Sequence, residues 1–227
     1  MTGSLRSADG TPGSTPPAGG DYPGSRPPWL LAIAAAFLVL IGVLLISSLV
    51  RPEVTSYAPS PPADRDEPEG FAGPDTLTID ARAGEGWVGL DIARRRVGAV
   101  EDMAGAWDVA AQRHRLAVNG GAEFAGGAGV LFSESPFDSL FEAAERGYSA
   151  SLVTPSGDTV SAVLDEWYAY HFLSHLLEPE SGTFVIRTAA GKYAKLRVLG
   201  YYCPGAEPGC VTVEFAYQGD GSRRLSP

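Results

Sequence analysis

The amino-acid sequence predicts a single N-terminal transmembrane helix followed by a mostly β domain, an antiparallel structure with one short helix. The first observation is that residues 29–50 (WLLAIAAAFLVLIGVLLISSLV) contain no charged side chain. The second is that residues 76–227 contain short β-branched and aromatic segments with alternating apolar positions, separated by turns that contain glycine. A chain of 227 residues therefore has room for one β-rich core and its flanking segments.

Composition excludes several classes of function. The chain has 17 Lys and Arg against 27 Asp and Glu, a net charge of -10, so it lacks the cationic surface that binds nucleic acid through counterion release. We expect no nucleic-acid partner. Two cysteines and three histidines are too few for a disulfide framework, a four-cysteine zinc module or an iron–sulfur protein, and we expect no metal-ion site.

The chain before the domain divides into three segments. Residues 1–28 are rich in Gly, Pro and Ser and are predicted to form a disordered tail. Residues 29–50 are long enough, at about 1.5 Å per residue, to cross the bilayer, and we interpret them as a retained transmembrane helix rather than a cleaved signal. Residues 51–75 are predicted to form a flexible linker to the domain at 76–227.

Six segments of the domain carry the strand pattern: 76–82, 87–92, 107–118, 183–188, 193–202 and 210–217. The clearest hairpin joins 183–188 to 193–202, because Gly191 supplies the positive φ that a tight turn requires. The predicted helix begins at Ser135, an N-cap followed by Pro136 in the first turn, and ends at Gly147.

Several motifs then occur in order along the domain. They are Trp107-Asp108-Val109-Ala110, Arg113, Asn119-Gly120-Gly121, Trp167-Tyr168 with Tyr170, His175 with Leu177, and the segments TFVIRTAAGKYAKLRVLGYY and VTVEFAYQGDGSRRL. This series resembles the signature of the HmuY-like family of haem-binding surface proteins over roughly residues 77–225. The resemblance implies a β-rich fold with a haem pocket, exported from the cytoplasm and often attached to an outer surface by lipid. This chain departs from that pattern because it carries a transmembrane helix.

The two cysteines suit an exported domain. Cys203 and Cys210 flank a PGAEPG loop between two predicted strands, so a hairpin would bring them within bridging distance. A persistent disulfide requires an oxidising compartment, which the resemblance also implies. The alternative is a pair of reduced thiols in a cytosolic loop.

The candidate axial ligands for haem iron are His175, His171, Met103 and His114. If the segment around His171 and His175 is helical, both side chains share one face and cannot clamp the two sides of a flat macrocycle. A haem site would then pair one of them with Met103 or His114. The alternative is that His114 is a solvent-facing strand residue and that His175 stabilises a turn.

Other residues have two interpretations each. One group is aromatic and could either line a haem pocket or form part of the hydrophobic core: Trp107, Trp167, Tyr168, Tyr170, Tyr201 and Tyr202. The second group is basic and could either pair with haem propionates or lie exposed to solvent on the strand faces: Arg187, Lys192 and Lys195.

No catalytic motif is present in the sequence, neither a nucleophile elbow nor a zinc-protease or phosphate-loop motif, so we do not expect an enzyme. One function is a membrane-anchored module that binds or handles haem. The alternative is an accessory subunit of a larger membrane complex, in which small residues such as Gly42 let partner helices approach. In the flanking segments, Arg6 and Arg26 precede the helix and Arg51 and Arg65 follow it, so charge does not orient it. We expect a cytoplasmic N-terminus and a domain in the periplasm or otherwise outside the cytoplasm.

Overall fold

The computed structural model describes residues 27–49, 54–121 and 123–227. The described residues fall into two units, residues 27–49 and residues 54–227. In the first unit, α1 (Pro28–Leu49) confirms the predicted helix. Its segment Pro28–Ser47 is long and apolar enough to cross a membrane. The predicted disordered tail lies outside the described residues up to position 26.

The second unit is built from strands. In chain order they are β1 (Phe71–Asp80), β2 (Val88–Asp91), β3 (Arg96–Ala99), β4 (Val109–Gln112), β5 (Arg115–Val118), β6 (Gly129–Ser133), β7 (Leu152–Val153), β8 (Thr159–Val160), β9 (Tyr168–His171), β10 (Leu176–Pro179), β11 (Thr183–Arg187), β12 (Tyr193–Cys203) and β13 (Glu207–Gln218). The predicted mostly antiparallel β class is confirmed.

These strands form two larger sheets and two ribbons. The five-stranded sheet has the order β1-β13-β12-β11-β6 and the four-stranded sheet has the order β3-β2-β4-β5, while β7-β8 and β9-β10 are two-stranded ribbons. One continuous core joins the two sheets, with Ile79 and Leu196 from the larger sheet packed in the same cluster as Leu90 and Leu116 from the smaller one. Burial of both apolar faces stabilises the pair of sheets.

Two predicted hairpin features are confirmed. The β11–β12 turn contains Gly191 at φ +76°, and the N–H of Gly191 donates to the carbonyl of Thr188. The hairpin of β12 and β13 carries a disulfide between Cys203 and Cys210, both of them buried.

The helix predicted to begin at Ser135 is wrong, because that segment contains only a 3₁₀ turn at Phe137–Ser139. Its backbone groups find partners outside the segment. Lys195 Nζ donates to the carbonyl oxygens of Phe137 and Leu140, and the N–H of Ala143 donates to the carbonyl of Arg223. Tertiary hydrogen bonds therefore replace the bonds that a helix would make.

The stretch 107–118 is also not one strand. It forms β4 and β5, joined by a turn in which Arg113 has φ +54°. His114 therefore lies in a turn rather than in the middle of a strand.

The segment predicted to be a flexible linker contacts the domain from residue 54 onward, and β1 already begins at Phe71. We call residues 54–70 the N-terminal arm. Its backbone N–H groups at Tyr57 and Ser60 donate to the carbonyls of Tyr202 and Thr78. Its Glu67 pairs with Lys192 at 2.8 Å and accepts a hydrogen bond from the Tyr217 hydroxyl. Proline-rich composition predicted an extended backbone, but not these long-range contacts.

Candidate functional site

The β9–β10 ribbon carries two of the three histidines. A four-residue loop, Phe172 to His175, joins its strands, and the N–H of His175 donates to the carbonyl of His171 at 2.7 Å. His175 adopts φ +56°, a left-handed conformation that closes short hairpin loops. The segment is therefore a hairpin, and the shared-face geometry expected of a helix does not apply.

The two histidines lie on opposite faces of this ribbon. His171 pairs with Leu176, and its Nε2 lies 3.0 Å from Glu178 Oε2 on the same face. Tyr170 points to the other face because successive side chains alternate along a strand. The Tyr170 hydroxyl is hydrogen-bonded to Nδ1 of His175, which places the His175 imidazole on the Tyr170 face.

His114 contacts the same ribbon at its base. Its ring meets Tyr168 edge-on, with ring centroids 5.8 Å apart, and its carbonyl accepts a hydrogen bond from Trp167 Nε1. Burial, assisted by the charge of Arg115, lowers the pKa of His114 below its usual value. Tyr168 is three residues from His171, so base and tip are separated by about 10 Å along the strand.

Met103 does not reach the ribbon. It is 3% exposed and lies in a separate cluster with Trp107 and Ala110, where its sulfur packs against the backbone of Gly89. Met103 therefore lies apart from the histidines of the ribbon, because its side chain fills the space beside the four-stranded sheet.

An open cleft lies along the Tyr168 and Tyr170 side of β9, with a volume of about 530 Å³. We call it the β9 cleft, and it is lined by Phe132, Asp165, Glu166, Tyr168, Tyr170, Glu180 and Ser181. Its volume is within the range of ligand pockets, roughly 300–1,000 Å³. Tyr170 is 54% exposed and Phe132 is 40% exposed, so their rings are available to a ligand.

The charge of the β9 cleft is acidic. Asp165 and Glu166 belong to a 3₁₀ turn, Leu164–Glu166, and Glu180 also lines the cleft. Burial raises the pKa of Asp165, while the nearby His114 opposes that shift. These two acids directly precede the Trp167-Tyr168 motif in the sequence. Their role at a cleft depends on Phe132 from β6, a residue that no sequence motif singled out.

The other aromatic candidates belong to the core. Trp167 is 1% exposed and Tyr201 is 4% exposed, whereas Tyr168 is only partly buried. Of the basic candidates, Lys195 is buried with its Nζ on two carbonyl oxygens, and Lys192 is paired with Glu67. The ammonium groups of both lysines therefore already have partners within the domain.

The residues Asp108 and Asn119 of the Trp-Asp and Asn-Gly-Gly motifs form a hydrogen-bonded network at the ends of the strands. Asp108 accepts backbone hydrogen bonds from Ile92 at 3.0 Å and from Ala189 at 2.8 Å. Asn119 Nδ2 donates to the carbonyls of Gly105 and Trp107, and its backbone N–H donates to the carbonyl of Asp108. Burial raises the pKa of Asp108 to about 6. The motif therefore specifies the fold rather than the cleft.

A haem held by two axial histidines does not fit this arrangement, because such ligands approach iron from opposite sides of one macrocycle. His171 and His175 point away from each other, and His114 lies at the far end of the ribbon. The β9 cleft presents the rings of Tyr168 and Tyr170 to a ligand, and the Tyr170 hydroxyl is hydrogen-bonded to Nδ1 of His175. Among the described residues, no group of three or more His, Cys, Asp or Glu side chains is placed to hold a metal ion.

Comparison with known proteins agrees with the sequence motifs. The HmuY protein family matches residues 84–217. Among solved structures, an apo HmuY analogue from Tannerella forsythia is 15% identical with a TM-score of 0.50, over 63% of this chain and 95% of that chain. A Bacteroides vulgatus protein described as HmuY-like and haem-binding is 18% identical with a TM-score of 0.49, over 68% of this chain and 96% of that chain. No curated protein matches. The family match spans more than half of the sequence, and the chain belongs to the HmuY family.

Proposed function

We propose that this HmuY domain binds haem in the β9 cleft, without catalysis, and that α1 anchors it in a membrane. Membership of the HmuY family supports haem as the ligand. The main support for this site is the hydrogen bond between the Tyr170 hydroxyl and Nδ1 of His175, because Tyr170 also lines the aromatic cleft.

That hydrogen bond determines what His175 offers a ligand. When Nδ1 carries the proton and donates it to the Tyr170 oxygen, Nε2 keeps its lone pair and is available as a ligand. Haem would supply an iron that His175 could hold through this nitrogen. Tyr168 and Tyr170 would provide the flat apolar surface against which the haem is held, and Asp165 and Glu180 would repel its carboxylates.

A hemin titration of the full chain in detergent micelles tests the site. We expect a sharp Soret band whose absorbance saturates as hemin is added. The variant His175→Ala should show no such saturable change. His171→Ala is the matched control, because His171 lies on the other face of the same ribbon and should leave the titration unchanged. A titration without saturable change, or greater loss with His171→Ala, would contradict the proposal.

The proposed membrane topology places the N-terminus in the cytoplasm and the domain outside it. The Cys203–Cys210 disulfide supports this orientation because persistent disulfides form in oxidising compartments. Alkaline phosphatase fused after Pro227 reports the orientation directly. We expect an active fusion, and an inactive enzyme at normal expression would place the domain in the cytoplasm.

The acidic rim supports a second candidate, an accessory subunit whose domain contacts a partner protein. Three carboxylates beside Phe132, Tyr168 and Tyr170 also suit a cationic side chain. The hemin titration separates the two, since an interaction module should show no saturable Soret band. If the domain is such a module, the charge reversal Glu180→Lys should dissociate this chain from its partner protein.

A further inference from the structure

The tip of the β9–β10 ribbon exposes two large apolar side chains side by side. Phe172 is 77% exposed and Leu173 is 93% exposed, the highest exposed fractions among the large hydrophobic residues of the described chain. Ser174 completes the turn without a charge. The nearest carboxylate on the ribbon, Glu178, lies two residues into β10 and pairs with His171. The tip is therefore an uncharged apolar projection.

The arm places the start of the domain next to this ribbon. Val54 and Thr55 line a cavity of about 280 Å³ together with Leu176 and Leu177 of β10. Tyr57 is hydrogen-bonded to Tyr202, whose hydroxyl accepts the N–H of Leu177. The chain that leaves α1 therefore joins the domain beside the ribbon, and Leu176 is only three residues from Leu173.

Covalent connection limits how far the ribbon can be from the bilayer. Leu49 and Val54 are five residues apart, and a fully extended chain covers at most about 3.6 Å per residue, or about 18 Å in all. If α1 spans the bilayer, Val54 lies no more than about 18 Å from the end of the helix and therefore close to the membrane surface. The contacts of the arm with Tyr202 keep β10 in that zone too.

We propose that Phe172 and Leu173 insert into the interfacial region of the bilayer that holds α1. Aromatic and aliphatic side chains on an uncharged tip favour the boundary between headgroups and acyl chains. The inserted tip would hold His175 and the β9 cleft at the membrane surface. This inference rests on the membrane anchoring proposed above, and it predicts a contact that anchoring alone does not require.

The test uses the full chain in phosphatidylcholine vesicles. Leu173→Cys receives a nitroxide label, and both native cysteines are in the disulfide, so the label has one site. Leu152→Cys and Phe141→Cys, at exposed apolar positions elsewhere, serve as matched controls. We expect the label at position 173 to be more accessible to oxygen, which concentrates in acyl chains, than to a water-soluble nickel chelate. The controls should show the reverse.

Flotation of the same vesicles separates the two proposals. Wild type and the double variant Phe172→Ser with Leu173→Ser should both float, because α1 anchors them. If the labelled protein floats and position 173 is as accessible to the nickel chelate as the controls, the tip proposal is overturned and the anchor stands. If the chain does not float, the anchor fails and the tip proposal fails with it.

Discussion

The hydroxyl of Tyr170 and Nδ1 of His175 share a hydrogen bond of 2.5 Å at the tip of the β9–β10 ribbon. Tyr170 also lines the β9 cleft, so this bond connects the wall of the cleft to the candidate iron ligand. Among the described residues, it is the contact that distinguishes His175 from His171, which is also exposed and whose Nε2 lies 3.0 Å from Glu178 Oε2.

Tyr170→Phe should weaken haem binding by about 10–100-fold, the effect typical of losing a hydrogen bond that orients a ligating histidine. The ring remains in the cleft, so only the bond to His175 is lost. Hemin titration of the full chain measures the affinity. Tyr168→Phe is the control, because its ring also lines the cleft but its neighbour His114 is reached by ring contact. Equal losses in the two variants would contradict an orienting role for Tyr170.

The stability of the domain should depend on pH through Asp108. Burial raises its pKa to about 6 in the folded domain, above the value of about 3.9 in an unfolded chain. The folded state therefore binds the proton more tightly. The neutral acid therefore contributes its full share of the free energy of unfolding below about pH 4. This contribution is lost as the pH rises through about 6, which lowers the free energy of unfolding by up to about 3 kcal/mol.

Asp108→Asn removes this titration while keeping the size of the side chain. The stability of the variant relative to wild type should improve between about pH 4 and pH 8, as measured by urea unfolding at each pH. Comparing the two proteins at the same pH cancels the contributions of the other carboxylates. Parallel pH profiles would show that Asp108 does not titrate in this range.

Removal of the disulfide should lower the free energy of unfolding by about 2–3 kcal/mol, the loop-closure effect for so short a loop. The double variant Cys203→Ala with Cys210→Ala tests this by thermal or urea unfolding, and it leaves no unpaired thiol. Wild type under a strong reductant should approach the stability of the variant. An unchanged unfolding free energy would show that the β12–β13 ladder alone holds the turn.

Gly219→Ala should displace the N-terminal arm. A Cβ at Gly219 would overlap the carbonyl of Pro68, so either the arm or the end of β13 must move. We expect a loss of about 1–3 kcal/mol and faster hydrogen exchange at Tyr57, Ser60 and Arg65, whose N–H groups bond to the domain. Gly127→Ala is the control, because its Cβ would meet its nearest neighbour at 3.9 Å. Unchanged exchange in the arm would contradict the packing of Gly219 against Pro68.

Local patterns in the sequence were sufficient for α1, for the long strands and for the disulfide. An apolar run, two-residue alternation and a glycine turn each depend on neighbouring residues, and these features can be read along the chain. The motif around Asp108 and Asn119 identified the family, and in the fold Asp108 accepts hydrogen bonds from Ile92 after β2 and from Ala189 after β11, which lie in different sheets. Strong local capping signals at Ser135 nevertheless failed, because Lys195 and Arg223 bind the backbone of that segment.

Only the tertiary structure decided the candidate site. The positions of His171 and His175 in the sequence are compatible with a shared face in a helix and with opposite faces in a hairpin, and the loop conformation selects the second. The β9 cleft combines Phe132 with Tyr170 and Glu180, which come from separate parts of the chain. Sequence alone determined the long apolar helix, the β class and the family, since local periodicity and motif order encode them. The cleft and the course of the arm depend on long-range packing, which no local pattern specifies.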